Sequence, residues 1–206
     1  IPRGVPRNFL RLDQKWTDFG SLLRVRDQES QQSCIGESLA TIVDIQRIES
    51  YRHLGDQKGA EAQVKPASAA MLHAMALEIE SIEFGQPASE IYSLRSGLKG
   101  FYNAGVCSEA TWAARPLQAN GATFDSISVD ATKEARSVTL GAYYRVRSFI
   151  NDFHAALVEA GALFVSAELH GGWRMPEAGV IGSCPDKHGS GDPSGGHAFV
   201  IVGYDR

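Results

Sequence analysis

The first half of the chain carries apolar residues at helical spacing. Between residues 35 and 54, Leu39 and Val43 fall on one helical face, while Ile45 and Ile48 fall on the opposite side. A helix that is apolar on both sides is usually buried all round. The pattern therefore predicts a helix that runs through the core over 35–54. Two further helices are predicted over 67–82, which is rich in Ala, Met and Leu, and over 93–103.

The second half changes to runs of β-branched and apolar residues, which are typical of strands. Strands are predicted over 138–146, 162–169 and 198–204, and a helix over 149–160 that ends at Gly161. Residues 106–136 are predicted to be mostly irregular and the glycine-rich stretch 170–196 to form a long loop, and residues 1–26 are predicted to lie extended over the domain. This order predicts one α+β domain over 1–206, helical over about 27–112 and rich in strands over about 113–206.

The composition is that of a globular protein and argues against two classes of partner. Twenty Lys and Arg against 24 Asp and Glu give a net charge of −4, so we expect neither nucleic acid nor an anionic membrane surface as partner. The apolar runs are far shorter than the roughly 20 residues that span a bilayer. Because the chain begins with Ile1 rather than Met, we expect a processed or excised chain, with a pro-segment or additional domain outside it as one interpretation.

Three cysteines, Cys34, Cys107 and Cys184, are too few and too scattered for a disulfide framework. If Cys34 is a working thiol, the one bridge left would join Cys107 and Cys184, and it is not favoured. This usage leans towards a reducing compartment such as the cytoplasm. A secreted or delivered bacterial protein stays open as the alternative.

Cys34 stands where the helical pattern of residues 35–54 begins. A cysteine attacks only as the thiolate, and an ordinary thiol, with a pKa of about 8.5, is mostly protonated at neutral pH. The unpaired N–H groups and the dipole at a helix N-terminus favour an anion there. Cys34 is therefore a candidate nucleophile, and the equally weighted alternative is a buried structural cysteine.

His197 stands at the mouth of the last predicted strand, directly after Gly195 and Gly196. A rigid strand would position the imidazole, and the glycines would let a cysteine sulfur and a substrate approach it. A neutral imidazole can take the proton of a thiol, which makes His197 a candidate base. The alternative is a histidine that caps a strand by hydrogen bonding. Among the other histidines, His188 is the strongest competitor, although a solvated loop position is the favoured interpretation of it.

Two separate runs carry a resemblance to a known family. Gln28 stands six residues before Cys34, and the run 195–198 reads Gly-Gly-His-Ala, followed by Val-Gly-Tyr-Asp over 202–205. In this order the two runs resemble the signature of papain-like cysteine peptidases. Residues 93–99 and 105–112 resemble the helix and turn that precede that family's crossing between subdomains. The resemblance implies an α+β papain-like fold: a helical N-terminal subdomain with a buried nucleophile helix, a C-terminal antiparallel β-barrel-like subdomain, and an active-site cleft between them.

The resemblance also implies roles for three residues. Cys34 would be the nucleophile, His197 the base, and Gln28 would donate its side-chain amide to the oxyanion beside the backbone N–H of Cys34. The implied activity is thiol endopeptidase chemistry on a protein or peptide substrate through an acyl-enzyme, with no cofactor and no metal.

Several positions depart from the family pattern. Ile35 replaces the Trp that usually follows the nucleophile, Gln31 replaces a disulfide cysteine, and Ile91 and Tyr92 stand where a substrate-pairing glycine is expected. No Asn follows His197, although the family orients its histidine with one. We expect the natural polypeptide to continue, or a separate processed chain to supply the missing strand.

Two alternatives to a peptidase stay open. One is a papain-shaped module whose site has decayed and which now only binds peptides; the missing Asn favours this hypothesis, and the retention of Gln28, Cys34 and His197 opposes it. The other is a different Cys–His enzyme, such as a bacteriocin-leader peptidase or a transglutaminase-like amidase, in which the separation of Cys and His is typically much shorter.

Overall fold

Five helices and four short strands make up the regular structure of the part of the chain that is described. The computed structural model describes residues 9–10, 25–28, 32–53, 65–112, 127–173, 180–182 and 195–204, with backbone alone at 9–10 and 51–53. The helices are α1 (Cys34–His53), α2 (Ala69–Phe84), α3 (Leu94–Ala104), α4 (Val129–Ala135) and α5 (Ile150–Ala160). The strands are β1 (Phe9–Leu10), β2 (Leu163–Glu168), β3 (Gly196–Ile201) and β4 (Gly203–Tyr204). None of these helices combines the length and the apolar character that a membrane crossing needs.

Helix α1 runs through the core, as its two-sided apolar pattern predicts. Ile45 and Ile48 are fully buried, and Leu39 on the other face is buried as well. The helix packs against α2 on one side and against β3 on the other. The predicted bounds of 35–54 agree with the observed bounds to within a residue at each end.

Helices α1 and α2 approach closely at Gly36, two residues after Cys34. A Cβ atom at Gly36 would collide with the carbonyl oxygen of Ala69 and with the backbone and Cβ of His73. Ser68 caps α2 by accepting a hydrogen bond from the N–H of Met71 at 3.1 Å. The glycine therefore lets the start of α2 pack against the first turn of α1.

Helix α3 is anchored by a buried carboxylate. Glu80 of α2 is 1% exposed, and its Oε1 accepts hydrogen bonds from the N–H groups of Tyr92 and Ser93 at 3.1 and 3.2 Å. Ser93 in turn caps α3 by accepting from the N–H of Arg95. These bonds join the segment before α3 to α2, and the observed helix agrees closely with the predicted 93–103.

The second half supplies an antiparallel pair of strands that packs on α1. Strands β2 and β3 pair in the register Leu163 with Ile201 through Glu168 with Gly196. Ala198 and Phe164, on the face towards α1, join the main core cluster. Strand β4 pairs with β1, and α5 ends at Gly161 as predicted.

One strand predicted for the second half is wrong. Residues 138–146 form no strand: Val138 and Leu140 pack on the core from an irregular segment, and Tyr143 and Tyr144 are exposed. Within the described residues no strand lies beside this segment to pair with it. The short helix α4 lies inside the stretch 106–136 that is predicted to be mostly irregular, where a Ser128 cap and small buried alanines stabilise two turns.

The strands that are described form two separate two-stranded sheets, so the expected β-barrel-like arrangement is not seen among them. The predicted loop over 170–196 is described only in part, and it begins with a 3₁₀ turn over Gly171–Trp173. Most of the predicted extended segment 1–26, together with His188, Cys184 and Gln31, lies outside the described residues.

Candidate active site

A cleft of about 300 Å³ lies between α1, β3 and the extended residues 25–28. It runs along α1 from Cys34 past Thr41 to Ile45, with β3 as its opposite wall. Gln28, Cys34 and His197, which come from three separate segments, all line it. The structure thus brings the three candidate residues of the sequence to one cavity.

Cys34 is the first residue of α1 and is partly exposed at the cleft with a free thiol. The N–H of Glu37 closes the first turn on the carbonyl oxygen of Ser33 at 3.0 Å, so the helix begins directly at the cysteine. The N–H groups of a first turn and the helix dipole favour a negative charge at this position. The candidate nucleophile therefore lies at the N-terminus of the helix that forms one wall of the cleft.

Cys107 has the opposite environment. It is fully buried, and burial, with a smaller contribution from the negative charge of Glu134, raises the pKa of its thiol to about 11. Its thiol is free. A protonated buried thiol of this kind is chemically inert.

His197 is the second residue of β3 and stands opposite Ala167 of β2 in the ladder. Its imidazole is half-buried and contacts the rings of Trp173 and Phe199. Within the described residues these ring contacts, rather than a hydrogen-bonding side chain, surround the imidazole. Two other histidines lie elsewhere: His73 is buried on α2, and His154 of α5 stacks on Tyr204. His170 packs on Trp173, a ring partner of the imidazole.

Gln28 reaches the cleft from the extended segment before α1. Its Oε1 is buried and has no hydrogen-bond partner among the described residues. A buried carbonyl oxygen without a partner costs about 1–3 kcal/mol, so a ligand N–H that enters the cleft would have an acceptor in Oε1. The oxyanion role would use the other half of the amide, its NH₂ group, which donates hydrogen bonds.

A buried ion cluster fixes the segment that carries Gln28. Arg26 is 5% exposed, and its guanidinium donates to Asp44 at 2.7 Å, to Glu109 at 2.8 Å and to the carbonyl oxygen of Ala67 at 3.1 Å. Glu37 lies farther away at 3.5 Å. Burial raises the pKa of Asp44, and the hydrogen bond from Arg26 acts in the opposite direction. The cluster joins residues 25–28 to α1 and to the turn after Ser108.

The described residues at which this chain departs from the papain-like pattern do not line the cleft. Ile35 is buried in the main core cluster beside Leu39, Ile91 packs on the same cluster, and the side chain of Tyr92 is 74% exposed. Arg26 and Trp173 were missed by sequence reasoning. Nothing in the local sequence indicates that a charged residue in an extended segment will be buried. Trp173 lies in a glycine-rich stretch that predicts only a loop.

The fold is that of papain-like cysteine proteases. The structure is similar to the crystal structure of xylellain, a cysteine protease from Xylella fastidiosa, with a TM-score of 0.66 and 21% identity over 98% of this chain and 71% of that one. It is also similar to digestive procathepsin L 3 from the larval midgut of Tenebrio molitor, with a TM-score of 0.62 and 18% identity over 99% of this chain and 57% of that one.

The papain-like α+β fold implied by the sequence resemblance is therefore confirmed, whereas the β-barrel-like arrangement of its second half is not. The chain spans a little over half the length of the procathepsin. No protein-family model and no curated protein sequence matches the chain. At such identities the likeness is one of fold, and the roles of Gln28, Cys34 and His197 stay predictions.

Proposed function

We propose that this chain is a cysteine peptidase that hydrolyses peptide bonds through a Cys34 thiolate and the His197 imidazole. The observation that carries the proposal is the shared cleft, in which Gln28, Cys34 and His197 line one cavity although they come from three segments. The papain-like fold, which the chain shares with two proteases, supports the same chemistry.

In the first step the Cys34 thiol passes its proton to His197, and the thiolate attacks the carbonyl carbon of the scissile peptide bond. A sulfur–carbon bond forms, and the carbonyl oxygen becomes an oxyanion. The backbone N–H of Cys34 and the side-chain amide of Gln28 stabilise this charge. A preorganised donor of this kind contributes about 3 kcal/mol to transition-state stabilisation.

In the second step the carbon–nitrogen bond breaks, and the leaving nitrogen takes the proton of the His197 imidazolium. The acyl group stays on the sulfur as a thioester. Water then gives a proton to His197 and attacks the thioester, which releases a carboxylic acid and the free thiol. The atoms balance with water as the single co-reactant, so this chemistry calls for neither a cofactor nor a metal.

A peptide-binding module that lacks turnover is the second candidate function. It is favoured by one observation: among the described residues the His197 imidazole contacts aromatic rings and no hydrogen-bonding side chain orients it. Loss of such an orienting group lowers catalysis without abolishing the remaining binding contributions. The same cleft would then hold a peptide without cutting it.

Digestion of an unfolded protein, with the products read by mass spectrometry, separates these functions. We expect peptide products from wild type and a loss of more than about a thousandfold in Cys34→Ser, because removal of a nucleophile eliminates the covalent route. Cys107→Ala, which removes the buried thiol, is the matched control and should keep the activity.

Three results would contradict the proposal. Equal digestion by Cys34→Ser would exclude Cys34 as the nucleophile. Peptide binding without products in wild type would establish the binding module. With a primary amine added, an uncut substrate that carries the amine on a glutamine side chain, without peptide products, would indicate a transglutaminase-like enzyme.

A further inference from the structure

An indole ring lies against the His197 imidazole from the turn that follows β2. The ring centroids of Trp173 and His197 are 6.3 Å apart, and the planes make an angle of 77°, which is the edge-to-face arrangement that aromatic pairs favour. Trp173 also packs on Phe199, with centroids 5.1 Å apart. The His197 and Phe199 rings lie 6.3 Å apart and nearly parallel. The imidazole therefore contacts two rings that also contact each other.

The sequence of residues 170–173, His-Gly-Gly-Trp, builds the turn that places this indole. The N–H of Trp173 donates to the carbonyl oxygen of His170 at 3.0 Å, and the N–H of Gly172 donates to Nδ1 of the same histidine at 3.2 Å. The His170 ring packs edge-on against the indole. A Cβ atom at Gly172 would collide with the carbonyl oxygen of Gly182, so the packing requires glycine there. The turn thus fixes the position of Trp173 locally.

The imidazole needs such a restraint. Its side chain turns about two single bonds, and only some orientations direct a ring nitrogen towards a thiol. Directly across the ladder from His197 stands Ala167, whose methyl group is too short to restrict the ring. Among the described residues no side-chain hydrogen bond restricts it either. The aromatic contacts are the restraint that the structure provides.

We propose that Trp173 is a positioning residue, which holds the His197 imidazole in the orientation that pairs with Cys34. This role rests on the proposed function, because it acts on the proton transfer between the two residues. Trp173 does not line the cleft, and it acts through His197 alone. A rigid aromatic contact with the indole thus orients the imidazole in place of a hydrogen bond.

Alkylation of Cys34 at two pH values tests the role. In Trp173→Ala we expect the rate constant at about pH 6 to fall about tenfold, since loss of an aromatic pair changes an equilibrium by up to about that factor. At about pH 9, where thiols ionise without help, it should stay within about twofold of wild type. Trp173→Phe keeps a ring and should restore most of the rate at low pH.

Two further variants separate positioning from stability. Trp112 packs on a different core cluster, so Trp112→Ala should lower the melting temperature and leave the Cys34 rates unchanged. In the His197→Ala background, Trp173→Ala should cause no further loss, because the residue it positions is gone. If Trp173→Ala does not fold, Trp173→Leu tests the same loss of the ring at a smaller change in volume.

Indole fluorescence tests the contact itself, independently of thiol reactivity. Emission responds to neighbouring groups, so removal of the His197 ring should change the emission of Trp173. The difference between wild type and Trp173→Phe isolates this residue from the other two tryptophans. The same difference measured in the His197→Ala background should change in intensity or wavelength, whereas the His170 ring, which also packs on the indole, is the same in both backgrounds.

The outcomes are distinct. If Cys34 is not alkylated selectively in wild type, the proposed function is wrong. The positioning role of Trp173, which rests on that function, is then wrong as well. Normal wild-type alkylation that Trp173→Ala leaves unchanged at both pH values would overturn the role of Trp173 alone. A Trp173 fluorescence difference that is the same with and without the His197 ring would show that the indole does not lie on His197 in solution.

Discussion

Cys34 and Cys107 are one residue type in two environments. Cys34 heads α1 at the wall of a cleft, whereas Cys107 is fully buried and its pKa is raised to about 11. At neutral pH the buried thiol stays protonated and inaccessible. The molecule therefore contains its own reference for any measurement of the reactivity of Cys34.

Gln28 is the residue whose substitution best probes the transition state. We expect Gln28→Ala to lower kcat about a hundredfold and to change KM by no more than a few-fold, since an oxyanion donor acts mainly after attack. Gln32, an exposed glutamine that does not line the cleft, supplies the matched control Gln32→Ala. Peptidase kinetics on a fluorogenic peptide would measure both. An unchanged kcat in Gln28→Ala would exclude the amide as an oxyanion donor.

At the residue scale, sequence motifs predicted three residues of the candidate active site. Gln28, Cys34 and His197 could be named because their types and order carry a chemical signature. Arg26 and Trp173 could not, because their surroundings come from distant segments. The partners of Arg26 are Asp44 and Glu109, and the indole of Trp173 meets a strand that begins more than twenty residues later.

At the scale of elements, local periodicity predicted the helices well and one strand wrongly. Helix α1 could be placed because its apolar residues repeat at helical spacing, and α2 because it is rich in Ala, Met and Leu. The apolar residues at 138–146 look like a strand, but Val138 and Leu140 serve as separate core contacts of an irregular segment. A segment becomes a strand only if another strand lies beside it in the fold, and the sequence of the segment alone does not show whether one does.

The interface of α1 and α2 makes the fold sensitive to pH. His73 packs against Gly36, its Nδ1 is buried without a partner among the described residues, and burial lowers its pKa to about 4. In the unfolded chain an ordinary histidine has a pKa of about 6.5. The folded state therefore holds His73 neutral, and the resulting stability is present above about pH 6.5 and is lost as the pH falls towards about 4.

Urea unfolding of wild type and His73→Leu would measure this effect. Between about pH 7 and about pH 4 we expect the free energy of unfolding of wild type to fall by up to about 3 kcal/mol more than that of the variant, which has no group to protonate. The same pH dependence in both proteins would show that His73 is not the group responsible.

At the scale of the whole molecule, the candidate site depends on three segments that meet. The Arg26 cluster holds residues 25–28 against α1, the α1–α2 packing fixes the first turn that carries Cys34, and the β2–β3 pair places His197 across the cleft. These contacts join segments that are far apart in the chain, so no single window of the sequence predicts them. The sequence resemblance predicts the papain-like fold, but it does not predict the shape or the lining of the cleft.

The central claim is that Cys34 and His197 act as an activated pair across this cleft. Alkylation of the folded protein with iodoacetamide over a range of pH, read by peptide mass spectrometry for wild type and His197→Ala, tests that claim most directly. We expect Cys34 to react selectively well below pH 8, the range in which ordinary thiols begin to ionise, and to lose this reactivity in His197→Ala. If Cys34 reacts no faster than Cys107 in wild type, or equally fast in both proteins, Cys34 and His197 do not form the pair.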